Sequence, residues 1–146
     1  MGALVALGAL SALWALFLWA ELVVARSGGT AFCAVGEGID CVALWDGDFA
    51  SSVHKLTRLP VAGWGLLWGL LATAFPLLAL TSKAEGGPSI PAVTATRIIG
   101  AVGALSTVVL VGIAAAAGTW CLGCMGTYLF VAAYAAIALW AWRDLG

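Results

Sequence analysis

CLGCMGTYLFVAAYAAIALWAW, residues 121–142, opens on two cysteines and then runs to its end without a charged side chain. Crossing a hydrocarbon core of ~30 Å takes about 20 predominantly apolar residues in a helix, so the stretch reads as a membrane span with a Cys-x-x-Cys pair at its head. Working outward, three more stretches have this character: Ala3 to Val24, Pro60 to Leu80 and Ile98 to Ala117, with Glu21 the one charge inside any of them. Four spans in a chain of 146 residues leave room for one domain, residues 1–146, and little else.

Composition agrees. Hydrophobic residues make up 64% of the chain and charged residues 9%, too few polar side chains to cover a water-soluble fold. A net charge of -1, with the six Lys and Arg scattered, excludes a nucleic-acid-binding surface. Asn and Gln are absent, and one His and two Tyr accompany four Cys, so the cysteines dominate the available chemistry. Trp19, Trp64, Trp120, Trp140 and Trp142 fall near span ends, where an indole keeps its ring in the apolar boundary and its N–H in water. Gly65 with Gly69, and Gly100 with Ala104, are small pairs that let helix backbones approach. The first span is read as retained rather than cleaved, since no Lys or Arg precedes Arg26. Phe32 argues against lipid attachment at Cys33.

The connections are unequal. A long loop, Arg26 to Leu59, holds His54, Cys33 and Cys41; Lys83 to Thr96, with Glu85, Gly86, Gly87, Pro88 and Pro91, reads as a plain turn; Gly118 to Trp120 is minimal. Charge counting ties, with Arg26, Lys55 and Arg58 against Lys83, Arg97 and Arg143. Span number does not: an even count places the long loop and the head of the fourth span on one face, and with them Cys33, Cys41, Cys121 and Cys124.

Cys121 and Cys124, three apart at a helix start, share a face, and the unpaired N–H groups and positive dipole end of that turn favour a thiolate. Tyr128, one turn deeper on the same face, is either a hydrogen-bond donor to a quinone carbonyl or an interfacial anchor. Between Cys33 and Cys41, Gly36 and Gly38 with Glu37 and Asp40 suggest the mobility a thiol shuttle needs. A structural Cys33–Cys41 disulfide, a four-cysteine zinc site and inert buried thiols are the competing readings. After Cys41, Trp45, Phe49, Val53 and Leu56 recur at helical spacing, interrupted by Gly47, as in an amphipathic cap on the membrane surface. His54 is a proton carrier or a solvated loop residue.

Taken together, the loop pair eight positions apart, the Ser and amphipathic stretch leading into Leu59-Pro60-Val61, and Cys121-Leu-Gly-Cys124 opening the last span resemble the bacterial form of the vitamin K epoxide reductase family, over nearly the whole chain. The resemblance implies an all-α integral membrane four-helix bundle with a long extracytoplasmic loop carrying a short amphipathic helix. It implies a quinone-linked disulfide-forming oxidoreductase using ubiquinone or menaquinone and no metal, in the bacterial inner membrane with its cysteines facing the periplasm. By the same resemblance Cys124 contacts the quinone, Cys121 opens to the loop, Cys41 attacks Cys121, and Cys33 exchanges with a DsbA-type thioredoxin-like protein acting in trans. Tyr128 matches a quinone-binding tyrosine, and Ser51, or failing that Ser52, the loop residue that steadies the reactive cysteine.

Three features depart from the family pattern. The stretch from Cys41 to Pro60 is longer than usual, Arg58 stands where a Gly is usual, and the quinone-binding Asn of animal members has no counterpart in a chain without Asn. Vitamin K quinone or epoxide reduction with small thiols, and a non-catalytic membrane module with structural or metal-binding cysteines, are the alternatives. A DsbB-type fold, with its Cys-x-x-Cys in the first outer loop, ranks below because the motif here opens the last span.

Overall fold

A computed structural model describes residues 1–33, 36, 38–87 and 89–140. The expected end of the fourth span at Trp142, and Ala34, Val35, Glu37, Pro88 and Arg143, lie outside the described residues. Among the described residues the helices are, in order, α1 (Gly2–Arg26), α2 (Cys41–Trp45), α3 (Asp48–Thr57), α4 (Val61–Ala84), α5 (Ile90–Ala117) and α6 (Leu122–Trp140). There is no ladder of strands among the described residues, and α1, α4, α5 and α6 are each long and apolar enough to cross a membrane. This is an all-α membrane protein.

The second connection departs from expectation. Residues from Ile90 onward are already helical, so α5 begins eight positions before the predicted Ile98. Pro91 is the reason the prediction failed and the helix succeeds: a proline in the first turn lacks only an N–H that would have had no partner there, and its fixed φ suits the helix. The recurrence of Trp45, Phe49, Val53 and Leu56 is divided at the interruption expected from Gly47: the helix breaks at Asp46 and Gly47 into α2 and α3.

α1 packs against α4 and α6, and α5 packs against the same two, so the four long helices close a ring with α1 and α5 at opposite corners. In lipid no hydrophobic drive favours this association, and close packing through small residues takes its place. A Cβ on Gly69 would stand 2.6 Å from the Ala12 backbone nitrogen, and one on Gly8 would stand 2.6 Å from the Ala72 carbonyl carbon. The α1–α4 seam therefore runs backbone to backbone. Gly65 is looser, 3.5 Å from Ala15 Cβ, whereas Gly100 would press on Ala138 at 3.1 Å.

Two tryptophans sit inside the bundle rather than at its rims. An indole N–H in hydrocarbon must find an acceptor. Trp14 Nε1 donates to the Gly123 carbonyl at 2.9 Å, and Trp68 Nε1 to the Ile99 carbonyl at 3.0 Å. The first bond pins the head of α6 to α1, and the second pins α4 to α5. Buried residues gather in two groups: Leu4, Ala72, Tyr134 and Ala138 with Trp68 against them, and Ala31, Cys33, Cys41 and Cys121.

Candidate functional site

The sulfurs meet through a short piece of backbone pairing. The Trp120 N–H donates to the Gly38 carbonyl at 2.8 Å, and the Asp40 N–H to the Trp120 carbonyl at 3.0 Å. These two bonds bracket Ile39 and pair it with Trp120 in an isolated parallel bridge, which brings the residues just beyond, Cys41 and Cys121, into the same place. The Asp40 carboxylate also caps α2, accepting from the Val42 N–H at 2.9 Å, so Cys41 is fixed as the first residue of a helix. A third tie holds the loop from the other side, where the Phe32 N–H donates to Glu21 Oε2 at 3.0 Å. Glu21, the lone charge within the predicted spans, thus anchors the residue next to Cys33.

Cys33 and Cys41 are joined as a disulfide, while Cys121 and Cys124 are free thiols. The Cys121 thiol lies 2.9 Å from Cys41 Sγ. Cys121 immediately precedes α6 and acts as its cap, its sulfur accepting the Cys124 N–H at 3.1 Å. Hydrogen bonding from the Cys124 thiol, joined by the Cys124 and Gly123 backbone N–H groups, holds the Cys121 thiol below its ordinary value against burial and the nearby Asp40 carboxylate. The free sulfur nearest the disulfide is therefore the one best able to become a thiolate.

Cys33 and Cys41 are fully buried and Cys121 is 1% exposed. Trp45 packs against this sulfur cluster and also lines a cavity of about 250 Å³. All four long helices contribute to that cavity, which Cys124, Tyr128 and Thr127 of α6 share with Ser11 of α1, Trp64 and Trp68 of α4 and Gly103 of α5. One wall is therefore a thiol, and the rest is largely aromatic and aliphatic.

Of the residues singled out in the sequence, Cys33, Cys41 and Cys121 come together, and Cys124 and Tyr128 share the cavity next to them. Ser51 and Ser52 are not among its lining residues; the Ser51 hydroxyl donates to the Asp46 carbonyl at 3.3 Å within the loop. His54 is also outside the main cavity, lining a small crevice with Arg26 and Trp45. The sulfurs of Cys33, Cys41 and Cys121 lie within 4.8 Å of one another, a spacing that suits a metal ion only if the disulfide is first reduced to thiolates. Sequence reasoning missed Trp68 and Ser11, and placed Trp45 in a surface cap without its share of the cavity wall. A signal existed for Trp68, which falls mid-span where tryptophan is uncommon.

An apolar, tryptophan-lined cavity with a thiol at one wall and a buried hydroxyl, that of Ser11, lacking any hydrogen-bond partner suits a flat carbonyl-bearing ring such as a quinone. No curated protein and no solved structure matches the chain. The profile of the vitamin K epoxide reductase family matches residues 2–139, from the first turn of α1 to the end of α6, and so takes in both cysteine pairs and every wall of the cavity. The chain belongs to the vitamin K epoxide reductase family, and is thereby a quinone-linked thiol oxidoreductase of the membrane.

Proposed function

We propose that the protein generates disulfide bonds, taking electrons from a thioredoxin-like partner through Cys33 and Cys41, passing them to Cys121 and Cys124, and delivering them to ubiquinone or menaquinone in the cavity. The observation that carries this reading is the 2.9 Å approach of Cys121 to Cys41 beside a cavity that Cys124 lines. The bacterial inner membrane with the cysteines toward the periplasm is the matching setting, because disulfides persist there.

Each protein step exchanges one S–S bond for another. A dithiol partner of the DsbA type attacks Cys33 and forms a mixed disulfide with it, and the released Cys41 thiolate attacks Cys121 of a Cys121–Cys124 disulfide, freeing Cys124. The partner's second thiol displaces Cys33 and leaves the partner as a disulfide, and the freed Cys33 then displaces Cys121 from Cys41. The loop disulfide is restored and both electrons reside in Cys121 and Cys124, which is the arrangement of bonds seen here. A bound quinone supplies the sink for two electrons and two protons. Cys121 and Cys124 close their disulfide as they surrender them, Tyr128 donates a hydrogen bond toward the ring, and Trp45 keeps water from the thiols. Because Cys33 is fully buried, its exchange with a protein requires the loop to lift first.

Quinone-dependent thiol oxidation by the purified chain tests the reading. Cys121→Ala and Cys124→Ala are expected to abolish turnover with any reductant, while Cys33→Ala blocks the protein partner and spares a small dithiol. Full activity in Cys124→Ala refutes the relay. A module with structural or zinc-binding cysteines is favoured instead if wild type leaves quinone unreduced and, once reduced itself, retains a stoichiometric metal.

A further inference from the structure

Two hydroxyls in the bundle, those of Ser11 and Tyr134, are buried without a hydrogen-bond partner. A hydroxyl buried and unpaired is costly, and a serine in a helix ordinarily relieves the cost by bonding back to the carbonyl one turn earlier. Their surroundings differ. Tyr134 is packed into the solid core with Leu4, Ala72 and Ala138, with Trp68 edge-on at 5.2 Å, and does not line the cavity. Ser11 is 3% exposed and does line it.

Depth places Ser11 opposite Cys124. α1 and α6 run antiparallel, and a Cβ on Gly123 would meet the Leu18 side chain, which sets Leu18 level with the head of α6. Ser11 is seven residues from Leu18 toward the far end, a drop of about 10 Å at the helical rise. Val131, seven residues beyond Cys124, descends by the same amount and lines the cavity with Ser11. The vertical interval from the thiol to the serine suits a quinone ring, its far carbonyl and one hydrogen bond.

We infer that Ser11 is the hydrogen-bond donor to the quinone carbonyl remote from Cys124, and that it supplies the polar contact which a chain without Asn cannot make with a side-chain amide. The inference rests on the quinone reading above. Ser11 is a ligand-positioning residue whose hydroxyl is satisfied only when the ring is present. A hydrogen bond to the ring removes the penalty of burying that hydroxyl unpaired.

The test is binding rather than turnover. Full-length protein in nanodiscs, with Cys121 and Cys124 oxidised to a disulfide so that no electrons can pass, is titrated with menadione, and quenching of the cavity tryptophans is followed. Ser11→Ala and Ser11→Gly, neither of which adds an atom, are expected to raise the Kd about fivefold to tenfold, as the loss of one hydrogen bond does. Tyr134→Phe, which removes the other unpaired hydroxyl, is expected to leave the Kd unchanged. In steady state Ser11→Ala should raise KM for quinone more than it lowers kcat. A wild-type Kd in both Ser11 variants, or an equal rise in Tyr134→Phe, overturns the inference while leaving the relay standing. Failure of the wild type both to bind and to reduce menadione overturns the quinone reading together with the inference.

Discussion

Cys41 Sγ and the Cys121 thiol lie 2.9 Å apart although 80 positions of sequence separate them. The proximity follows from the backbone bridge of Trp120 with the segment Gly38 to Asp40 just before Cys41, and so does not depend on any bond between the sulfurs. In the double variant Cys33→Ala with Cys124→Ala, only Cys41 and Cys121 remain. Mild oxidation is expected to join them within one chain, read by mass spectrometry of the linked peptide. Recovery of two unlinked thiols would mean that the pairing does not hold them together.

Cys121 is held below the ordinary thiol value chiefly by its hydrogen bond with the Cys124 thiol. The sign follows directly: a lowered value keeps Cys121 a thiolate at pH where a free cysteine is mostly protonated, and that fraction falls only as pH drops through the lowered value. Cys124→Ala removes the first contribution and should move the pH profile of Cys121 alkylation, measured site by site, to higher pH. An unchanged profile would show that the Cys124 thiol does not govern Cys121.

Arg58 closes α3 in the left-handed conformation, with φ 61°. A side chain with a Cβ is strained there, and glycine is not. Arg58→Gly is therefore expected to stabilise the protein by about 1 kcal/mol, seen as a rise in Tm, with no change in quinone reduction. Arg58 is thus a local backbone cost carried by this chain.

The membrane spans were legible because length and apolarity suffice for them, and the shared face of the cysteines was legible because span parity suffices for that. What escaped were features set by contact between distant segments. The start of α5 was misplaced because Pro91 has one meaning in a turn and another in a first helical turn, and the residues themselves do not say which. Ser11 carries no signal at all in a span rich in small residues; only its placement against the cavity distinguishes it. Glu21 stood out as a lone charge, yet its partner is the backbone N–H of Phe32, which no side-chain pattern announces.

The α1–α4 seam predicts a sharp dependence on side-chain size. Gly69 faces the Ala12 backbone, with no flexible side chain to yield, so Gly69→Ala forces the helices apart. A loss of roughly 1–3 kcal/mol is expected, read as a lowered Tm in detergent. Gly65→Ala, where the added methyl group meets ordinary van der Waals space, should be nearly neutral. Equal effects at the two positions would show that the seam is not closely packed.

Glu21 supplies the last prediction. Its carboxylate holds the Phe32 N–H at 3.0 Å, next to a disulfide whose two sulfurs are fully buried, so reduction from outside must wait for local opening. Removing this exposed hydrogen bond makes opening easier by at most about 1 kcal/mol, or about fivefold in the open population. Glu21→Ala should therefore speed reduction of Cys33–Cys41 by a water-soluble phosphine up to about fivefold, whereas Glu21→Gln, which keeps an acceptor oxygen, should react nearly as wild type. If both variants react at the wild-type rate, Glu21 does not hold the loop, and the ties from Trp120 to Gly38 and Asp40 alone keep the disulfide closed.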